Sequence, residues 1–226
     1  YTATVTVSDG AASTTQNIIV NVGNLNDNSP SFSTGASFSA DENQTAIGTV
    51  TAIDADGDAF TFSISGSEIN ISSSGALTFA SAPDYEAKNS YTATVTVSDG
   101  PNSATQNIIV NVGNLNDNSP SFSTGASFSA DENQTAIGTV TAIDADGDAF
   151  TFSISGTELS ITSSGVLTFV SAPDYEIKST YSATITASDG SNSSTQTISV
   201  NVNNMNEVEP SLSLSINAIK SFAFSW

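Results

Sequence analysis

The chain repeats itself with a period of 90 residues, and this periodicity constrains the fold more strongly than any local pattern. Tyr1, Tyr91 and Tyr181 each open nearly the same segment, and residues 16–66 are identical to residues 106–156. The motifs LNDNSP, DEN, DADGD, PDYE and VSDG recur in a fixed order. Because a unit of this length can bury a modest core, we predict domain-sized repeats rather than the shorter repeats of a propeller or a β-helix.

The LNDNSP segments mark the boundaries between repeats, because a proline cannot donate to a β-ladder and suits a connector. We divide the chain into a partial repeat (1–23, the last two strands of a unit), two full repeats (24–113 and 114–203) and a tail (204–226). We interpret the tail as a linker and the start of a truncated further β domain, which weakly resembles the beginning of a fibronectin type III domain. Since residue 1 falls within a repeat, we expect the chain to be a fragment of a longer protein.

Apolar and small polar residues alternate with a period of two through most of each repeat, which is typical of half-buried antiparallel strands. Phe60, Phe62 and Ile64 form one such run. Seven strands are predicted in the first full repeat, near residues 36–40, 46–53, 60–65, 69–72, 76–80, 91–98 and 105–113. We therefore predict an all-β chain of tandem seven-stranded Greek-key β-sandwiches of the immunoglobulin-like class.

The composition excludes several kinds of chemistry. The chain has no Cys and no His, and its formal net charge is −20 with only three lysines. An acidic surface repels nucleic acid and anionic lipid, and no stretch approaches the ~20 apolar residues of a membrane helix. We therefore expect no nucleic-acid binding and no membrane insertion by this segment. The acidity has two interpretations, solubility in a secreted or salt-tolerant protein, or ligation of cations.

The positions of the acids favour cation ligation. In a seven-stranded sandwich the loops gather at the two ends of the body. Glu42 and the PDYE motif are expected at the lower end of the first full repeat, and DADGD and SDG at the upper end of the second, with the connector 114–118 running between them. Seven carboxylates would then crowd together, and like charges at ~4 Å repel by about 4 kcal/mol per pair at an intermediate dielectric.

Calcium suits such a site best, because it accepts 6–8 oxygen ligands in irregular arrangements, whereas magnesium demands stricter octahedral geometry. Zinc and copper prefer His or Cys, which this sequence lacks. An EF-hand is rejected, since the glycine of DADGD falls at position four and the twelfth position holds Ile64 or Ile154 instead of Glu.

The motifs DEN, DADGD, PDYE, SDG and N-x-N-D-N-x-P resemble, in sequence order, the calcium-binding motifs of cadherin repeats. The chain looks most similar to bacterial cadherin-like tandem domains. This resemblance implies seven-stranded sandwiches, calcium bound between successive repeats, and a role in adhesion. The connectors depart from the family pattern at their first position, where Asn24 and Asn114 stand in place of the usual Asp.

The resemblance assigns ligands at three joints, which we name by their connectors. At the central joint (connector 114–118) the matching positions are Glu42, Asp84, Glu86, the carbonyls of Leu115 and Asn116, Asp117, the side chain of Asn118, Asp144, Asp146 and Asp189. At the first joint (connector 24–28), which lacks its upstream acids, they are Asn26, Asp27, Asn28, Asp54, Asp56 and Asp99. At the last joint (connector 204–208), where weak binding is expected, they are Glu132, Asp174, Glu176 and Glu207. Asp148 is a further hypothetical ligand.

We therefore predict a non-enzymatic, calcium-dependent adhesion or stalk module, located outside the cell or on the surface of a bacterium. Its expected partners are calcium and another copy of itself, a cell-surface protein or a polysaccharide. A calcium-dependent carbohydrate-binding module is the main alternative, although the only Trp lies in the tail. Paired carboxylates also serve glycoside hydrolysis, but here the acids recur in both repeats without a second type of catalytic group.

Overall fold

Strands and turns make up the described part of the chain in this computed structural model, which covers residues 1–207 and contains no helix in that range. The chain divides into two units, Tyr1–Asn116 and Asp117–Trp226. The predicted start of a further β domain, near residue 210, lies outside the described residues. Over residues 1–207, accordingly, no helix is long and apolar enough to cross a membrane.

The first unit contains a hairpin and a complete sandwich. Its strands are β1 (Thr2–Ser8), β2 (Ser13–Ile19), β3 (Ser31–Phe32), β4 (Ser37–Asp41), β5 (Ala46–Thr49), β6 (Ala52–Ile53), β7 (Thr61–Ile64), β8 (Ile69–Ile71), β9 (Ala76–Phe79), β10 (Ser90–Ser98) and β11 (Ser103–Gly113). One sheet has the order β4-β11-β10-β7 and a second has the order β5-β9-β8, while β3 pairs with β6. The strands β1 and β2 pair only with each other.

The second unit repeats the sandwich without the additional hairpin. Its strands are β12 (Ser121–Phe122), β13 (Ser127–Asp131), β14 (Ala136–Thr139), β15 (Ala142–Ile143), β16 (Thr151–Ile154), β17 (Leu159–Ile161), β18 (Val166–Phe169), β19 (Thr180–Ser188) and β20 (Ser193–Asn203). The sheets are β13-β20-β19-β16 and β14-β18-β17, with β12 paired to β15. The predicted class, all-β tandem sandwiches of the cadherin or immunoglobulin-like type, is confirmed.

The core of each unit lies between its two sheets. In the first unit Val95 and Val110 come from the four-stranded sheet, and Leu77 and Phe79 from the three-stranded sheet. All four side chains are almost completely buried. Each apolar side chain of this size contributes roughly 1.5–3 kcal/mol when it leaves water. The period-two alternation therefore predicts correctly which face of each long strand is buried.

One local expectation was wrong. The predicted strand 46–53 is interrupted, because the N–H of Val50 donates to the carbonyl of Gly75 outside the ladder and β6 then pairs with β3. The strand β4 runs parallel to β11, a direction that the sequence analysis did not assign. Alternation reports which face of a strand is buried, but it carries no information on the direction of the neighbouring strand.

Gly75 tests how closely the backbone packs at the turn that precedes β9. Its φ is +89°, and a Cβ placed on it would lie 2.1 Å from the carbonyl oxygen of Val50. Gly66 also has a φ of +89°, but no atom lies within 4 Å of a Cβ there. We expect Gly75→Ala to lower the free energy of unfolding by about 3 kcal/mol or more and Gly66→Ala by only about 1 kcal/mol, because both add backbone strain but only the first adds a clash. Urea unfolding of the two variants measures this difference, and equal losses would contradict it.

Candidate metal sites

The upper end of the first unit is organised around the carboxylate of Asp56. We call this end the first crown and define it as residues 24–28, 54–58 and 99–102. Oδ2 of Asp56 accepts hydrogen bonds from the N–H groups of Asp27 (3.0 Å) and Asn28 (2.8 Å), and Oδ1 accepts one from the Asn28 side-chain amide (2.8 Å). The Asn24 side chain donates to the Asp56 carbonyl at 2.8 Å. Asp56 thus anchors the connector to the DADGD loop.

These hydrogen bonds also favour the ionised form of the Asp56 carboxyl. The N–H of Asn28, followed by its side-chain amide, lowers the pKa of Asp56 below its usual value. Asp56 therefore keeps its charge to a lower pH than an aspartate without these hydrogen bonds. The same carboxylate satisfies the N–H of Asn28 and shares the N–H of Asp27 with the carbonyl of Leu25.

The second unit contains the same arrangement at its upper end, which we call the second crown (residues 114–118, 144–148 and 189–192). Oδ2 of Asp146 accepts from the N–H groups of Asp117 at 3.0 Å and Asn118 at 2.8 Å. The Asn118 side-chain amide donates to Asp146 at 2.9 Å and to Asp117 at 2.8 Å. The two crowns therefore arise from the repeated sequence in the same way.

Two other carboxylates of the first crown are only half satisfied. Asp54 uses Oδ1 to accept from the N–H groups of Asp56 (2.9 Å) and Asp58 (3.2 Å), and Asp99 uses Oδ1 to accept from the N–H of Asn102 (2.8 Å). The Oδ2 atoms of Asp54 and Asp99 are buried and have no hydrogen-bond partner. A buried oxygen of an ionised carboxylate without a donor is costly, so this arrangement calls for a cation or another donor.

The second crown shows the same unsatisfied pair. Asp189 uses Oδ1 to accept from the N–H groups of Ser191 and Asn192, each at 2.7 Å, and Asp144 uses Oδ1 to accept from Asp148 at 3.2 Å. The Oδ2 atoms of Asp144 and Asp189 are again buried and unpartnered. Because equivalent carboxylate oxygens lack a hydrogen-bond partner in both repeats, this arrangement is a property of the repeat and not of one irregular loop.

The DADGD loop also brings a third carboxylate into reach. Ligand oxygens of Asp54, Asp56 and Asp58 lie within 4.8 Å of one another, as do those of Asp144, Asp146 and Asp148. The sequence reasoning left Asp58 out of the ligand set and gave Asp148 only as a hypothesis. The signal was present in the D-x-D-x-D spacing, which places three acids on one tight turn.

The lower end of the first unit is built on a buried glutamate. Glu42 is 2% exposed, and its two carboxylate oxygens accept from the N–H groups of Tyr85 (2.7 Å) and Leu115 (2.8 Å). Asp84 accepts from the N–H of Ala87 at 3.1 Å and, like Glu86, is exposed. Glu42 therefore joins the PDYE turn to the beginning of the connector.

The second unit reproduces this lower end. Glu132 is 3% exposed and accepts from the N–H groups of Tyr175 (2.9 Å) and Met205 (2.7 Å). Carboxylate oxygens of Glu132, Asp174 and Glu176 lie within 4.8 Å of one another. At the last joint, Glu207 accepts from the side-chain amide of Asn133 at 2.5 Å.

The carboxylates at these ends have no lysine to neutralise them within residues 1–207. The salt bridges in this range join Lys88 to Glu68 and Lys178 to Glu158, each at 2.5 Å. Each ammonium also lies over the ring of a tyrosine, 4.3 Å from Tyr91 in the first unit. Within residues 1–207, both lysines are therefore paired with other carboxylates, and neither neutralises the crowns.

The residues present fit a hard divalent cation. Each crown offers carboxylates, amide oxygens and backbone carbonyls, and the whole sequence contains no cysteine and no histidine. Calcium takes such mixed oxygen donors. The buried Oδ2 atoms of Asp54 and Asp99 in the first unit, and of Asp144 and Asp189 in the second, are the atoms that would hold it.

Comparison with known proteins adds the family and the fold. A family model described as "Bacterial Ig domain" matches residues 26–111 and again residues 116–201. Comparison with curated protein sequences gives no match.

Among solved structures, the chain is similar to human protocadherin-24 EC1-2, with a TM-score of 0.70 and 22% identity over 80% of this chain and 100% of that chain. Mouse cadherin-23 EC22-24 gives a TM-score of 0.69 and 22% identity over 90% of this chain and 74% of that chain. Drosophila N-cadherin EC1-4 gives 0.64 and 18% over 78% and 50% of the two chains. These likenesses confirm the resemblance to cadherin repeats at the level of the fold. Because the family model spans both repeats, the chain belongs to the bacterial Ig domain family, in two tandem copies that share the fold of cadherin repeats.

Proposed function

We propose that this chain is a calcium-dependent extracellular adhesion or stalk module, in which calcium binds where one repeat follows another and stiffens the array. The observation that carries the proposal is the pair of buried, unpartnered carboxylate oxygens in each crown, on Asp54 and Asp99 and on Asp144 and Asp189. Hydrogen bonding within the chain leaves these four oxygens unsatisfied, and a divalent cation satisfies them.

The ligands that we propose at the central joint are those assigned from the sequence. They combine the first unit's lower-end residues, Glu42, Asp84 and Glu86, with connector and second-crown residues from Leu115 to Asp189. The connector itself supports this proposal, because its Leu115 N–H donates to Glu42 and its Asn118 N–H donates to Asp146. The connector is thus hydrogen-bonded to candidate ligands near both of its ends, at Leu115 and at Asn118.

Calcium is the cation that we propose, because the donors are mixed and irregular. When bound, calcium would supply positive charge and coordination bonds that connect loops distant in sequence. Affinity on the order of 10⁻⁴–10⁻³ M is expected, as for other extracellular modules. Binding of this strength requires a compartment in which calcium is abundant.

The mechanism that we propose is mechanical and not catalytic. The carboxylates assigned to a joint repel one another and disfavour an arrangement that brings them together. A bound cation offsets this repulsion and favours that arrangement. A stiff array would hold a binding surface away from the cell or present one repeat to another copy. The cadherin-like fold supports this role, since solved structures similar in fold to this chain are named as a protocadherin and a cadherin.

The carbohydrate-binding alternative has no support from residues 1–207. Sugar-binding surfaces usually expose aromatic rings. In this range the most exposed aromatic side chains are Tyr1 and Tyr175. Most phenylalanines stack in or against the cores, as Phe32 does with Phe62.

Removing calcium is expected to lower thermal stability while strand content stays the same. A ligand that binds only the native state at 100 times its Kd adds about 2.7 kcal/mol. For a domain of this size that corresponds to roughly 10 °C in Tm. Calorimetry with 10 mM calcium and with excess chelator measures the shift, and far-UV circular dichroism checks the strands. Magnesium at the same concentration is the control, and an equal shift with magnesium would count against calcium selectivity.

Chelation is also expected to loosen the arrangement of the two repeats. Small-angle X-ray scattering with and without calcium tests this directly, since a stiff joint gives a longer and narrower distance distribution than a hinge. Scattering curves that superimpose would reject the mechanical role even if calcium binds.

The substitution Asp189→Asn distinguishes the proposed role of Asp189 as a calcium ligand from its role in forming the turn at residues 189–192. The asparagine keeps Oδ1, which accepts from the N–H groups of Ser191 and Asn192, but loses the unpartnered oxygen and its charge. We expect calcium affinity at that site to fall roughly 10-fold or more while the fold is unchanged. Asp131→Asn is the matched control, because Asp131 accepts a hydrogen bond from Asn203 and is not a candidate ligand. Isothermal titration calorimetry showing equal losses would remove Asp189 from the site.

A further inference from the structure

In both complete repeats, an early strand and the last strand run side by side in the same direction. In the first unit β4 pairs in parallel with β11, from Ser37 opposite Ile109 to Asp41 opposite Gly113. In the second unit β13 pairs with β20 over the equivalent residues. The chain therefore enters each of these strand pairs at one end and leaves it at the opposite end.

In the first unit, hydrogen bonds extend this pairing beyond the two strands. The N–H of Ile109 donates to the carbonyl of Ala36 at 2.9 Å, and the N–H of Glu42 donates to the carbonyl of Gly113 at 3.1 Å. The buried carboxylate of Glu42 then accepts from the N–H of Leu115 at 2.8 Å. A glutamate side chain thus lengthens the connection between the two segments.

The second unit repeats this connection and adds one bond. The N–H of Glu132 donates to the carbonyl of Asn203 at 3.2 Å, and the Glu132 carboxylate accepts from the N–H of Met205 at 2.7 Å. In addition, the side-chain amide of Asn203 donates to Asp131 at 2.9 Å. The first unit has Gly113 at this position, which has no side chain to make that bond.

Each of these strand pairs forms what we call a clamp. The first clamp is segment 36–42 with segment 109–115, and the second clamp is segment 126–132 with segment 199–205. The inner side of the first clamp is shielded from water, because Ala40, Val110 and Val112 are buried in the core. Water therefore reaches the hydrogen bonds of the clamp mainly from the outer side of the sheet.

The direction of pairing decides how a clamp responds to force. When the chain is pulled along its length, force acts at the start of β4 and at the end of β11, so the two strands are pulled past each other. The hydrogen bonds of a parallel ladder are evenly spaced, and in this geometry they share the force and break together. If both strands were pulled apart at the same end, the bonds would break one after another.

We propose that each complete repeat resists tension along the chain through its clamp. This function goes beyond stiffening by calcium, because the clamp consists of hydrogen bonds within one repeat and acts without a cation. Glu42 and Glu132, which were assigned as candidate calcium ligands, have a separate role in the clamps. They connect the segment that follows the last strand to the buried end of the first one.

Two pairs of introduced cysteines define the points at which force is applied, because the sequence contains no cysteine of its own. Gly35→Cys with Asn114→Cys places the attachment points at opposite ends of the first clamp. Gly35→Cys with Thr105→Cys places both points at the same end. No atom lies within 4 Å of a Cβ at Gly35, and Asn114 and Thr105 are exposed. The two chains therefore differ only in the position of one attachment point along β11.

Optical tweezers measure the unfolding force of the first repeat in both full-length variants, in excess chelator so that calcium plays no part. Forced unfolding reports the unfolding rate and not the equilibrium stability. At the same pulling rate, we expect the opposite-end variant to unfold at a mean force at least ~2-fold higher than the same-end variant, because its bonds share the force. Equal forces, or a higher force in the same-end variant, would overturn the proposal.

Gly113→Asn transfers the additional bond of the second clamp to the first. A Cβ at Gly113 would lie 2.6 Å from Oδ1 of Asp41, but this atom is the end of a side chain, and the second unit accommodates the same pair as Asp131 and Asn203. In the opposite-end variant, one more hydrogen bond should slow unfolding at constant force roughly 5-fold. In the same-end variant the rate should not change, because this bond lies at the far end of the clamp.

Gly113→Ala is the matched control for this substitution, since it adds a Cβ without the amide that donates to Asp41. We expect it to leave the unfolding rate of the opposite-end variant unchanged or faster. No slowing by Gly113→Asn, equal slowing in both pulling geometries, or the same slowing with Gly113→Ala would contradict the proposed role of the clamp. Urea unfolding of each variant checks that the fold is retained before force is applied.

Discussion

The structure depends on carboxylates that satisfy backbone N–H groups at the ends of each sandwich. Glu42 and Glu132 each accept two such bonds while almost completely buried, and Asp56 and Asp146 do the same for the connectors. A buried carboxylate is tolerated when donors surround it, because the hydrogen bonds replace the lost hydration. These four residues allow loops without regular structure to close the two ends of a body made of sheets.

The same use of carboxylates to hold the loops also favours the binding of a cation. A carboxylate has two oxygens, and in Asp54, Asp99, Asp144 and Asp189 the turn uses only Oδ1. The second oxygen is shielded from water by the fold and accepts no hydrogen bond within residues 1–207. Structure and proposed ligation are therefore linked, since the turn that fixes each aspartate also leaves its other oxygen pointing into a buried position.

Sequence reasoning succeeded where the physical signal is local and repeated. Alternation located β10 and β11 and their buried faces, and the motif order indicated which acids matter. It missed β3, which has only two residues, and it did not foresee the parallel pairing of β4 with β11. It also left Asp58 out of the ligand set, because aspartates are common in the turns of any β protein. The direction of β4 depends on residues of β11 about 70 positions away, and the pairing of β3 depends on residues of β6 about 20 positions away, so a short window along the chain reports neither.

The sequence by itself determined the period, the buried face of each long strand and the identity of the acids, because these follow from alternation and from repeated motifs. The tertiary structure alone decided which carboxylate oxygens accept hydrogen bonds and which are buried without a partner. It also decided that the same T-V-T-V run is solvent-exposed in β1 and buried in β10. The physical reason is that burial belongs to the complete set of strands, so one segment has a different environment depending on whether its neighbours are present.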